Sequence, residues 1–235
     1  MKETRLALEL KKGQLILFDG DSLTNRRSAG CQDTWPFLRL MNWDKPWPDT
    51  LAELLFCWRP ELKLSFFNAA SAGSTCRGLA ERFEANVLAR KPGWVIASLA
   101  GNDARVGVPH EEFRETMSTY ARRLVEEAGA EVLFLGLSEH GPNYPKADTQ
   151  DARQAFYGIL RDIAAGGGGV HYADLGPSLA AKAAALREQS EYHTLYAEGA
   201  HFNAVGNLVV AGELLRLFGV VTGSAPGHGA LCQAP

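Results

Sequence analysis

The chain has no long apolar run. Between Met1 and Lys12 the apolar residues form only a short stretch broken by Glu9, too brief for a secretory signal, and no later segment approaches a membrane span. That pattern predicts a soluble protein working in the cytoplasm. Cysteine is scarce as well: the four cysteines, at positions 31, 57, 76 and 232, show neither the paired short spacings of a zinc site nor the density of a disulfide scaffold. They read as reduced thiols. No single sign of charge dominates; 24 basic and 27 acidic residues are mixed along the chain, leaving a formal charge of −3 and no footprint for nucleic acid or an anionic membrane. Small neutral substrates remain compatible. There is no internal repeat.

What the chain does have is apolar content, 46% of 235 residues, enough for a sizeable core and a length that fits one α/β domain better than two. Short apolar runs at Leu15–Phe18, Leu62–Phe67, Trp94–Leu99, Glu131–Leu137 and Val170–Ala173 read as buried strands. Helical spacing fills residues 77–89, 111–127, 151–164 and 204–218, with Pro109, Thr149, Asn203 and Gly219 as boundary residues. This βαβ rhythm predicts a three-layer α/β/α sandwich around a mostly parallel, flavodoxin-like sheet of about five strands. Residues 1–221 are expected to form that single domain. Residues 222–235, rich in Gly, Ala and Pro, are expected to be a flexible or loosely docked tail.

Ligands of such sheets bind beyond the carboxyl ends of the strands, where the topology changes direction. Ser22, Gly73 and Asn102 all follow predicted strands at that edge. Ser22 is the leading nucleophile candidate, but a serine hydroxyl is a poor nucleophile at neutral pH and needs a base within hydrogen-bond reach. His201 is the best candidate: of the six histidines, it alone has an acid, Glu198, three residues earlier together with a following helix. Asp174 is the reserve acid.

Gly20-Asp21-Ser22-Leu23 resembles the first block of the GDSL, or SGNH, hydrolase family, and three further stretches resemble its remaining blocks in family order: Asn68–Gly73, Ala100–Asp103 and Glu198–His201. The resemblance spans most of the chain. It implies hydrolysis of a carboxylic ester through an acyl-enzyme on Ser22, with His201 as base and Glu198 orienting it. It also implies an oxyanion hole made by the backbone N–H groups of Ser22 and Gly73 and the side-chain amide of Asn102. No metal or organic cofactor is implied. The chain departs from the family pattern in having Glu198 where Asp is usual, Ala70 where Gly is frequent, and Ala100 in place of the first Gly of the third block.

Four of the five tryptophans, Trp35, Trp43, Trp47 and Trp58, fall between the first two blocks amid Pro36, Pro46, Pro48 and Pro60. That stretch is expected to be an irregular covering loop around short helices, with an aromatic wall as one reading and core packing as the other. Arg82, followed by Lys91 and Pro92, is similar to the branch of lysophospholipase-like and carbohydrate acetylesterases. The expected substrate is therefore a small short-acyl or O-acetyl ester, with acylated carbohydrate among the candidates. Three other readings stand beside it: an acyltransferase using the same serine, an inactive ester- or glycan-binding relative, and a phosphatase. The last arises because Asp19-Gly20-Asp21 resembles the first motif of haloacid dehalogenase-like phosphatases, in which Asp19 would be the nucleophile and magnesium would be needed.

Overall fold

Successive residues of a strand point to opposite faces of its sheet, so a strand apolar at every position needs cover on both sides. In the computed structural model, which describes residues 8–25, 45–137, 147–190, 194–198 and 201–221, with backbone alone at 147–151, 197 and 198, the central strands meet that condition. β1 (Leu15–Gly20) sends Ile16 and Phe18 into one core and Leu17 into the other. β3 (Trp94–Ser98) divides Trp94 and Ile96 from Val95 and Ala97, and β4 (Glu131–Gly136) divides Leu133 and Leu135 from Val132 and Phe134. With β2 (Ser65–Asn68) and β5 (Val170–Asp174) they form a five-stranded parallel sheet in the order β2-β1-β3-β4-β5.

Helices cover both faces. α1 (Trp47–Trp58), α6 (Gly176–Gln189) and α7 (Ala204–Leu217) bring Trp47, Leu51, Leu55, Leu179, Val210 and Leu214 to the first core. α2 (Cys76–Arg82), α4 (His110–Arg123) and α5 (Ala147–Ala165) bring Leu79, Phe113, Met117, Phe156 and Leu160 to the second. Each such side chain, fully buried, contributes about 1.5–3 kcal/mol. The expected three-layer α/β/α sandwich is the observed one.

Several elements depart from the sequence reading. The helix expected over 77–89 stops at Arg82; residues 83–87 widen into a looser turn and 88–90 tighten, ending at Lys91 in the left-handed region, φ 50°. Residues 47–58, within the stretch expected to hold short helices in an irregular loop, form the 12-residue helix α1 with Pro48 in its first turn, where a proline ring costs no hydrogen bond. Trp47 is core: fully buried, edge-on to Phe18 with ring centroids 5.3 Å apart. Trp58 is exposed, and Trp35 and Trp43 lie outside the described residues, as does the tail 222–235. α6 leaves little mark in the sequence, because its alanine-rich run carries only a faint apolar stripe. Among the described residues no helix is long and apolar enough to cross a membrane.

The chain leaves β1 for β2 on one side and returns to β3 on the other. The crevice at the carboxyl ends of β1 and β3 is therefore the switch point of the sheet. It holds the first and third motif blocks.

Candidate active site

Gly20 ends β1 at φ 140°, and a Cβ there would sit 2.1 Å from the Ser98 carbonyl oxygen of the neighbouring strand. Only glycine lets the chain pass this close. Beyond it the backbone coils: the N–H groups of Thr24 and Asn25 both donate to the Asp21 carbonyl, at 3.0 and 2.9 Å, which places Ser22 on a tight turn at the mouth of the crevice. The Asp21 carboxylate completes the turn by accepting from Leu23 N–H at 2.9 Å. Burial, partly offset by that hydrogen bond and by Arg153, raises the Asp21 pKa from its ordinary 3.8 to about 6.

The second block is laced to the first. Asn25 Nδ2 donates to the Ala70 carbonyl at 2.9 Å, Asn68 Nδ2 to the Thr24 carbonyl at 3.0 Å, and Ser71 N–H to the Gly20 carbonyl at 3.1 Å. Gly73 then turns through φ 79° into open space, exposed at the rim. The third block opens α3 (Gly101–Val106), and Asn102 from its first turn faces back toward both loops. Its amide nitrogen donates to Ser74 O at 3.1 Å and to Asp21 Oδ2 at 3.3 Å. Both amide protons thus already have acceptors. A new acceptor arriving in the crevice must displace one of them. Asp103, fully buried, accepts from Cys76 N–H at 2.8 Å and so ties α3 to α2. Cys76 is buried beside it, and desolvation pushes its thiol pKa up to about 12, the mark of an inert packing residue.

Ala100 stands where the family pattern has glycine, and it keeps a glycine-like conformation at φ 103°, ψ −26° while fully buried. This is a strained backbone at the head of the block that carries Asn102.

His201 comes from the other end of the chain. β6 (Tyr196–Glu198) and β7 (His201–Phe202) form a small antiparallel hairpin that sets Glu198 opposite His201. The imidazole is partly buried, and its Nε2 lies 2.9 Å from Ser22 Oγ, across 179 positions of sequence. The Glu198 side chain is outside what the structure describes. Asn203 anchors the hairpin to α7: its Oδ1 accepts from the N–H groups of Val205 and Gly206 at 2.9 and 3.0 Å, and its Nδ2 donates to Thr194 O at 2.7 Å. The reserve acid Asp174 instead accepts from Gly176 N–H at 2.9 Å, starting α6.

Sequence reasoning did not find the support beneath the serine. Asp19 is fully buried. Its Oδ1 accepts from Gly20 N–H at 2.8 Å and from Arg82 at 2.5 Å, and its Oδ2 from the Tyr120 hydroxyl at 2.9 Å. A carboxylate so enclosed cannot reach a phosphoryl group, which removes the phosphatase role considered for Asp19. Tyr120 carried no sequence signal; it is one aromatic among the buried positions of α4.

The model of the GDSL-like lipase/acylhydrolase family matches residues 18–209. An acetylxylan esterase of Geobacillus stearothermophilus is 30% identical over 96 residues, 41% of this chain and 42% of the relative, so the chain aligns with less than half of that curated relative's length. Among solved structures, a catalytic mutant of that organism's acetylxylan esterase, with a serine replaced by alanine, superposes with a TM-score of 0.71 at 20% identity, covering 92% of this chain and 100% of the other. LAE5, an alpha/beta hydrolase enzyme from the metagenome of Lake Arreo, Spain, gives 0.70 at 21% identity, covering 91% and 98%. These structural likenesses speak for the fold.

Proposed function

As the chain belongs to the GDSL-like lipase/acylhydrolase family, we propose that it hydrolyses carboxylic esters, acetyl esters of carbohydrates foremost, through an acyl-enzyme on Ser22. The observation that carries this reading is the 2.9 Å approach of His201 Nε2 to Ser22 Oγ at the switch-point crevice. In the first half-reaction the Ser22 oxygen attacks the acyl carbon while its proton passes to Nε2, and the former carbonyl oxygen takes the negative charge. The backbone N–H groups of Ser22 and Gly73 and the amide of Asn102 are its donors, Asn102 exchanging Asp21 or Ser74 for the oxyanion. The alcohol leaves with the proton from His201. Water then attacks the acyl-enzyme with His201 again as base. Glu198 holds the other ring nitrogen in this scheme, supported by its place opposite His201 across the hairpin.

The carbohydrate assignment is supported by the acetylxylan esterase relative, and the role of Ser22 by the serine-to-alanine catalytic mutant of the Geobacillus enzyme. Residues 1–221 act as the functional unit in this reading, supported by two cores packed on one sheet. The test is turnover of p-nitrophenyl acetate and of acetylated xylo-oligosaccharides by wild type and Ser22→Ala. The variant should keep its melting temperature and lose roughly 10⁶-fold in kcat. Undiminished turnover by a folded Ser22→Ala protein overturns the serine mechanism, and release of acyl groups from p-nitrophenyl acetate alone removes the carbohydrate assignment.

A further inference from the structure

We infer that Arg82 is a positioning residue of the oxyanion hole, one guanidinium that fixes the spacing between the serine turn and the Gly73 loop; the inference rests on the ester-hydrolysis reading above. Arg82 projects from the last turn of α2 and is only 10% exposed. Its Nε and one terminal nitrogen reach Asp19 Oδ1 at 3.2 and 2.5 Å, that same nitrogen donates to the Gly20 carbonyl at 3.0 Å, and the other terminal nitrogen donates to Ser74 Oγ at 2.7 Å. Gly20 lies two residues before Ser22, and Ser74 directly follows Gly73. The Ser74 carbonyl in turn accepts from Asn102 Nδ2 at 3.1 Å. All three proposed donors are therefore one or two residues, or one hydrogen bond, from a guanidinium contact.

The geometry selects arginine for this place. Three acceptors lie in a fan around one plane, which a rigid fork of N–H donors can satisfy together and a single ammonium cannot. Asp19 neutralises the buried cation, and Tyr120 holds the far carboxylate oxygen at 2.9 Å, so the fork is fixed from behind. Arg82 touches neither Ser22 Oγ nor His201 in this arrangement; it acts through the backbone of two loops. Its loss should spread the donors without altering the base. Oxyanion stabilisation depends on such placement far more than ground-state binding does.

The experiment compares wild type, Ser22→Ala, Arg82→Ala, Arg82→Lys, Ser74→Ala and the Arg82→Ala/Ser74→Ala pair on p-nitrophenyl acetate, together with the rate at which a serine-directed phosphonate labels Ser22. Arg82→Ala should lower kcat by about 30-fold or more, with KM within about threefold and the acid limb of the pH profile in place, and should slow phosphonate labelling in parallel. Arg82→Lys should restore little of the loss, Ser74→Ala alone should cost about fivefold, and the pair should be no slower than Arg82→Ala, as expected for two groups acting through one contact. A folded Arg82→Ala enzyme with wild-type kcat, a loss confined to KM, or Arg82→Ala and Ser74→Ala effects that multiply overturns the inference. If Arg82→Ala does not fold, Ser74→Ala and Arg82→Lys decide it: wild-type kcat in both overturns it, and reduced kcat at unchanged KM supports it. Equal turnover by wild type and Ser22→Ala would instead sink the underlying hydrolase reading, a result separable from all of these.

Discussion

Among the described side chains, the serine side of the crevice rests on buried ions, whereas the hairpin and helix that carry His201 are tied by neutral amides. Under Ser22 lie Asp19, Arg82, Asp21 and Asp103, joined by contacts that cross 27 to 101 positions of sequence. Behind His201, Asn203 and Asn207 tie the backbone. Asn207 accepts from Trp47 N–H at 2.9 Å and donates to the Asn203 carbonyl at 3.0 Å, tying α1 to the hairpin. A buried ion pair loses much when one partner is removed, because the other is left charged in a poor solvent, while an amide cap loses about one hydrogen bond. One half should therefore be brittle and pH-sensitive, the other tolerant and local.

The largest expected effect sharpens the difference at the point where the halves meet the substrate. Asn102→Ala should lower kcat by roughly 100- to 1,000-fold with KM nearly unchanged, because the proposed mechanism calls on its amide as charge develops on the acyl oxygen. Since that amide also links Asp21 to Ser74, Asn102→Asp should recover nothing: a carboxylate beside Asp21 cannot donate and adds like charge. Near-wild-type kcat in either variant, with chemistry limiting, removes Asn102 from the mechanism.

Next in size is the pH response of the serine side. Asp21 ionises less readily when folded, its pKa rising from 3.8 to about 6, so its carboxylate opposes folding fully above pH 6 and not at all below about pH 4. That difference corresponds to roughly 3 kcal/mol. Asp21→Asn, neutral at every pH, should gain stability relative to wild type as pH rises from 4 to 7, read by denaturant melts at each pH. Parallel stability curves for the two proteins would show that Asp21 is not held against its charge. On the histidine side the uncharged replacements Asn203→Ala and Asn207→Ala should not reproduce this slope.

These two halves were not equally legible in the sequence. Glu198, His201 and Asn203 fall within six positions, so one short window exposes an acid, a base and a helix cap. Ser22 stood out because a glycine and a strand precede it. Arg82 drew notice, but no spacing rule brings it to Asp19, and Tyr120 is indistinguishable in sequence from a core aromatic; long-range partners leave no local trace. The sheet was readable for the same reason in reverse: apolar runs such as Trp94–Ser98 are buried on both faces and show it position by position. Trp47 stayed open between wall and core because flanking prolines hide the helix it starts, although Pro48 lies in that helix's first turn, where it breaks nothing.

A third test breaks the histidine side. Asn203→Ala removes the cap of α7 and the tie to Thr194, and the cap alone is worth about 1 kcal/mol. The melting temperature should fall by about 2–4 °C for each kcal/mol lost, and kcat/KM by about tenfold as the hairpin loosens its hold on His201. Asn203→Asp, which keeps the acceptor for Val205 and Gly206 but not the donor to Thr194, should fall between them. A stability loss with wild-type kcat/KM would show that the hairpin holds His201 without its cap.

The smallest effect concerns Ala100, where the sequence departs from the glycine of its family while the backbone does not. A non-glycine residue held at φ 103° carries strain of order 1–3 kcal/mol. Ala100→Gly relieves it, but the unfolded chain gains about 0.5–1 kcal/mol of conformational freedom and a buried methyl is lost. The terms nearly cancel, leaving an expected gain of at most about 1 kcal/mol, a rise of no more than about 2–4 °C in melting temperature. The effect on kcat should be larger in meaning than in size. Ala100 precedes Gly101, on which the Arg153 guanidinium packs so closely that a Cβ would come within 3.1 Å of it, and Asn102 follows. Restoring backbone freedom at the start of α3 should let the Asn102 amide wander and reduce kcat by about threefold or less, with KM unmoved. A clear fall in melting temperature would mean that Ala100 sits at ease in this conformation, and unchanged kcat would mean that the alanine has no role in stiffening the proposed oxyanion arm.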